Sequence, residues 1–181
     1  MLPMYTGRNP FNVKRLILLG LMALVLSTSL VLTTGVASAQ TTSSASAAVS
    51  CWNFSCDGQN PSSKGCVNDA RDIYAATSGD LGGGLRETII LRFSSACAAA
   101  WAFVFTSEPL APSYDNGNAI ITRNSDGRQY DCAHGGDGII LADQTSCYSG
   151  MVGDAGGFTS WAAAMYTTGG PWQEVAHTAS Y

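Results

Sequence analysis

From residue 70 onward the chain alternates short apolar or β-branched runs with clusters of Gly, Asn and Pro, and no apolar period of helical length is sustained. Asp72 to Thr77 reads as a short strand and Ser78 to Gly84 as a Gly-rich turn. Leu85 to Phe93 (LRETIILRF) has the branched and aromatic content of a strand. In the next run, WAFVF, the rings of Trp101, Phe103 and Phe105 recur with a period of two. They therefore share one sheet face, which is predicted to point into the core. Ala119 to Thr122 and Gln129 to Cys132 flank Asn124-Ser125-Asp126-Gly127 as two arms of a hairpin. Ile139 to Leu141 is a further predicted strand after Gly135 to Gly138. Gly157 to Tyr166 is read as a strand from its β context, against the helical preference of three consecutive alanines. The expected fold is mainly β, a small disulfide-stapled antiparallel sandwich or barrel.

The first forty residues follow a different pattern. Met1 to Arg15 carries Arg8, Lys14 and Arg15 with no acid, and Leu16 to Leu32 is apolar but for a Ser-Thr-Ser patch. Val36-Ala37-Ser38-Ala39-Gln40 then places small residues at the two positions that a signal peptidase reads. Residues 1–39 are thus expected to be a signal peptide cleaved after Ala39, since the apolar run is short for a bilayer span of about 20 residues. Residues 40–50, rich in Ser, Thr and Ala, read as a flexible leader, and 51–181 as a single disulfide-rich β domain. The expected location is extracellular, with no stable membrane span after cleavage.

Charge narrows the partners. The signal segment would remove three of the nine basic residues and none of the thirteen acidic ones, which leaves six against thirteen and a net charge of −7. Phosphate neutralisation needs a clustered basic surface, and no Lys or Arg follows Arg128, so nucleic acid is not an expected partner.

All six cysteines, Cys51, Cys56, Cys66, Cys97, Cys132 and Cys147, lie beyond the cleavage point. An even count in an exported chain predicts three disulfides. The spacings lack the close C-x2-C pairs of a structural zinc site. Cys132 and Cys147 flank a Gly-rich segment able to fold back on itself and form the favoured pair. No thiol is then left as a nucleophile.

Cys51, Cys56-x-Gly58, Pro61, Gly65-Cys66, Asp69-Ala70, Leu91-Arg92-Phe93-Ser94, Cys97 and Ala100-Trp101 form an ordered pattern, with a fainter one at Tyr148-Ser149-Gly150-Met151-Val152. In these positions the chain resembles the bacterial family known as domain of unknown function 2690, found in exported proteins of Gram-positive soil bacteria. The resemblance covers most of residues 51–167. Asn60 stands where the family usually has an acid before the proline, and Cys132 with Cys147 is an addition to its four-cysteine pattern. The resemblance implies that Cys51, Cys56, Cys66 and Cys97 pair among themselves, and it transfers no activity.

Candidate chemistry is sparse. Asp131, His134 and Asp137 lie close together in YDCAHGGDG, and with a serine such as Ser149 they would make a nucleophile, base and acid. No Gly-x-Ser-x-Gly elbow accompanies them. Asp126, Asp131 and Asp137 also offer hard oxygens to calcium, but without EF-hand spacing, and capping of turn backbone is the preferred role. Arg92, inside an apolar strand, needs a partner, and Glu87 or Asp69 is the expected one, with a ligand carboxylate or sugar as the rival. Trp52, Trp161 and Trp172 are candidates for a sugar-stacking face, Trp172 foremost because Gly169-Gly170-Pro171 sets it on a turn. No metal or cofactor is expected. The function expected from these features is a secreted, non-catalytic module that binds an extracellular protein or glycan. The alternative is a secreted hydrolase or toxin-like effector built on His134.

Overall fold

Nine strands form two antiparallel sheets in the computed structural model, which describes residues 48–112 and 115–181. The predicted signal peptide, its cleavage point and most of the leader lie outside the described residues. The first sheet has the order β1 (Arg71–Thr77), β2 (Glu87–Ser94), β3 (Ala99–Thr106), β6 (Ser146–Tyr148), and β7 (Val152–Gly153) also pairs with β3. The second has the order β5 (Gln129–Asp131), β4 (Asp115–Arg123), β8 (Ser160–Thr168), β9 (Gln173–His177). Among the described residues no helix is long and apolar enough to cross a membrane.

The fold is the expected mainly β, disulfide-stapled class, in its sandwich form. Alternate residues of facing strands meet between the sheets: Ile89 and Leu91 of β2, Ala100, Ala102 and Val104 of β3, Ala119 and Ile121 of β4, and Ala162 and Ala164 of β8. Each fully buried Ile, Leu or Val contributes about 1.5–3 kcal/mol. The alanine run that argued for helix is thereby explained. Ala162 and Ala164 face the core and Ala163 faces outward, so small side chains let the two sheets approach without surrendering the period of two.

A second apolar cluster lies on the other face of the first sheet. Cys51–Cys56 and Cys66–Cys97 are bridged there, packed with Trp101, Ala99 and Met151. The third bridge, Cys132–Cys147, is the favoured one, and the remaining four cysteines pair among themselves. The segment from Cys51 to Cys66 holds a 3-10 turn at Asn53–Cys56, and another follows at Cys66–Asp69. Asn60, at the family's acidic position, donates to Gly136 O at 2.9 Å and accepts from the Ser62 and Ser63 amides.

Three sequence expectations need correction. The Trp101, Phe103 and Phe105 rings do share a face, but it is the outer one. Trp101 is buried beneath the disulfide cap, whereas Phe103 is half-buried and Phe105 exposed. The opposite face of β3, Ala100, Ala102 and Val104, is apolar too, and the sandwich needs the smaller row inside. Ile139 to Leu141 does not form a strand: Ile140 makes a single bridge with Gly117. Arg92 pairs with neither Glu87 nor Asp69. Its Nε lies 2.7 Å from Asp72 Oδ1, directly across the β1–β2 ladder, and its guanidinium covers the Phe103 ring at 4.2 Å. Residues 87 and 92 are an odd number apart on one strand and so face opposite ways. Asp69 is held by the Ser94 and Ser95 hydroxyls and the Ala96 amide.

Glu87 instead points inward with Ile89 and Leu91, fully buried, and neither carboxyl oxygen has a hydrogen-bond partner. Gly117 opposes it on β4, where an added Cβ would come within 2.6 Å of Glu87 Oε1. Burial pushes its pKa up from 4.5 to about 8, so it is a neutral acid at pH 7. Arg123, equally buried, is by contrast fully engaged. Its guanidinium reaches Asp57 at 2.9 Å, Asp126 at 2.7 Å and Gly153 O at 3.2 Å, and it ties the disulfide loop to the end of β4. The Arg123 hydrogen bond holds Asp126 down at about 2.

Candidate functional site

The outer face of the second sheet carries a histidine–carboxylate pair at each of its edges. Pairing places Asp131 opposite Ile120, Ile120 opposite Ala163, and Ala163 opposite His177, so these four residues form one row across β5, β4, β8 and β9. Directly opposed residues share a face. On one side of this row lie Gln129, Thr122 and Trp161, and on the other Asn118, Met165 and Glu174. Ala163, between Trp161 and Met165 on β8, is small and buried at the midpoint of the row, so its larger half-buried neighbours Ile120, Trp161 and Met165 form the accessible surface there.

Each end of the row is a histidine bonded to a carboxylate, and the chain has only these two histidines. His134 Nδ1 lies 2.7 Å from Asp131 Oδ1, and His177 Nδ1 lies 2.7 Å from Glu174 Oε1. An ionised carboxylate can only accept, so each Nδ1 carries the shared proton and each Nε2 is left for another partner. Both imidazoles are exposed, at 79% and 64%.

The two pairs arise from different local structure. At the first, the chain leaves β5 in a turn in which the His134 amide also donates to Asp131, so the side chain caps the turn as expected. At the second, residues 174 and 177 sit on one strand at an odd separation and would ordinarily face opposite ways. A register shift against Ala164 and Met165 inserts Val175 as an extra residue and restores them to a common face.

Two cavities open on this face. One of about 370 Å³ is lined by Asn124, Trp161, Glu174, His177, Thr178 and Ser180, with the Trp161 and His177 rings edge to face at 6.0 Å. The other, about 120 Å³, is lined by Ile120, Gln129, Tyr130, Asp131 and His134.

Of the cluster singled out from sequence, the structure brings Asp131 to His134 but not Asp137. That carboxylate accepts from the Tyr148 amide at 2.8 Å, and burial raises its pKa. Ser149 is fully buried. Its hydroxyl accepts from the Ala102 amide and donates to Gly150 O, so it is no partner for His134. Asp126, Asp131 and Asp137 are each engaged separately rather than converging on one ion. Trp172 is 40% exposed on the turn before β9, as expected, and Trp52 is 61% exposed in the disulfide loop, but it is Trp161 that stands in a cavity. Glu174 was not anticipated, because only the bulge brings it to His177.

These features define a disulfide-stapled β-sandwich with a histidine–carboxylate pair at each edge of one outer face. Residues 54–165 match the family described as Protein of unknown function (DUF2690), and the chain belongs to that family. It is similar to the uncharacterized protein YjfA of Bacillus subtilis (strain 168), at 36% identity over 127 residues, which span 69% of this chain and 79% of the relative. No solved structure matches.

Proposed function

We propose that the chain is a secreted, non-catalytic module that binds a glycan on the outer face of its second sheet. The observation that carries this reading is the cavity beside Trp161. An aromatic ring there stands among Asn124, Glu174, His177, Thr178 and Ser180, which supply the apolar surface and the directed hydrogen bonds that a sugar ring takes up. Export is supported by the N-terminal sequence pattern and by three disulfides, which persist in oxidising surroundings. The burial and full engagement of Ser149 weigh against a serine hydrolase centred on His134.

The test is a glycan array, together with sedimentation on insoluble cell-envelope polysaccharides, using the disulfide-bonded protein and W161A. Trp161 faces away from the core, so W161A is expected to lose binding about tenfold or more while its Tm stays close to that of the parent. Turnover of a glycan or ester by the parent, or binding that W161A leaves intact, would overturn the proposal.

A further inference from the structure

Resting on the glycan reading, we infer that the ligand is an extended, uncharged oligosaccharide that lies across all four strands of the second sheet and is gripped at both sheet edges by a histidine–carboxylate pair. The row Asp131, Ile120, Ala163, His177 runs perpendicular to the strands in unbroken register. It crosses three strand spacings of about 4.8 Å, so its ends are about 14 Å apart. That is the length of a trisaccharide, well beyond a single ring.

The ends carry the same chemistry. Each offers an exposed imidazole whose Nδ1 is engaged at 2.7 Å by a carboxylate, which leaves Nε2 and carboxylate oxygen to meet neighbouring hydroxyls. Two like sites at a fixed separation suit a polymer that offers the same group at a repeat. Between them the half-buried Ile120, Trp161 and Met165, over a buried Ala163, give a sugar ring an apolar face to rest on.

The charges favour a neutral chain. Arg123 and Arg128, the cations nearest this face in sequence, are ion-paired to Asp57 and Asp126. A polyanion would meet the carboxylates of Asp131 and Glu174 while both of these guanidiniums are already ion-paired.

The experiment measures affinity by calorimetry for cello-, chito- and xylo-oligosaccharides of two to six rings, on the parent protein, H134A and H177A. Expected for the series that binds is an affinity that climbs about tenfold between two and four rings and then levels off. H134A should bind the two-ring compound like the parent, through the Trp161 side, yet fail to gain with length. H177A should weaken every length. Equal affinity at all lengths, with H134A indistinguishable from the parent, would refute the two-edge grip while leaving the Trp161 site intact. Absence of binding to every series, with the array also blank, would refute both.

Discussion

Replacing Glu87 with Gln keeps the shape of the side chain and removes only its ability to ionise. In the folded protein the carboxyl is fully buried with both oxygens unpartnered, and burial alone lifts its pKa from 4.5 to about 8. An acid whose folded pKa is raised holds its proton more tightly in the folded state. Stability is therefore greatest below the unfolded value of 4.5, falls as pH climbs through the interval, and levels off above about 8. At about 1.36 kcal/mol per unit, the loss is about 3 kcal/mol at pH 7 and approaches 5 kcal/mol above pH 9. Urea unfolding of the parent and E87Q from pH 5 to pH 9, with disulfides intact, measures this directly. The two chains should be close at pH 5, and E87Q should be the more stable by several kcal/mol at pH 9. Asp154, raised by burial to about 6, also titrates within this range, but it is common to both chains and cancels in the difference. A difference between parent and E87Q that stays constant with pH would refute the assignment of Glu87 as a buried neutral acid.

Two further outcomes follow from the framework. The Cys132–Cys147 bridge closes a loop of sequence separation 15 and is expected to contribute about 3 kcal/mol, read as the loss of unfolding free energy in the double alanine variant. R123M leaves the 8% exposed Asp57 side chain with only Arg128 for an ion pair, and should cost about 3 kcal/mol in urea unfolding. Adding D57N should recover part of that loss, whereas no recovery would show that packing rather than the ion pair dominates.

Strands β1 to β5 and β8, the β4–β5 hairpin and the Cys132–Cys147 bridge were legible because a period of two, a turn sequence and a Gly-rich fold-back are local signals, whereas the short β6, β7 and β9 were not. The direction of the WAFVF ring row was not. Both faces of β3 are apolar, so the period fixes which residues share a face and leaves open which face is covered by the second sheet. Arg92 illustrates a different limit, since its partner Asp72 is set by cross-strand register, which no single strand reveals. The site was half legible. Asp131 and His134 sit within one turn and meet as neighbours, but Asp137 is carried away by the glycines between them. Glu174 and His177 were hidden by a one-residue irregularity with no signature in QEVAH, and Trp161 was one of three exchangeable candidates until the pairing of β4, β8 and β9 placed it.

Strand β8 carries two independent texts in one stretch of chain. Ala162, Ala164 and Tyr166 are read by the opposite sheet and decide whether the sandwich closes, whereas Trp161 and Met165 are read by whatever lies on the outer face. Replacing Trp161 or Met165 would reshape the outer surface without disturbing the packing on the reverse side, whereas Ala163 is already covered and leaves no room for a larger side chain. Specificity on this scaffold can thus drift one letter at a time without renegotiating the fold.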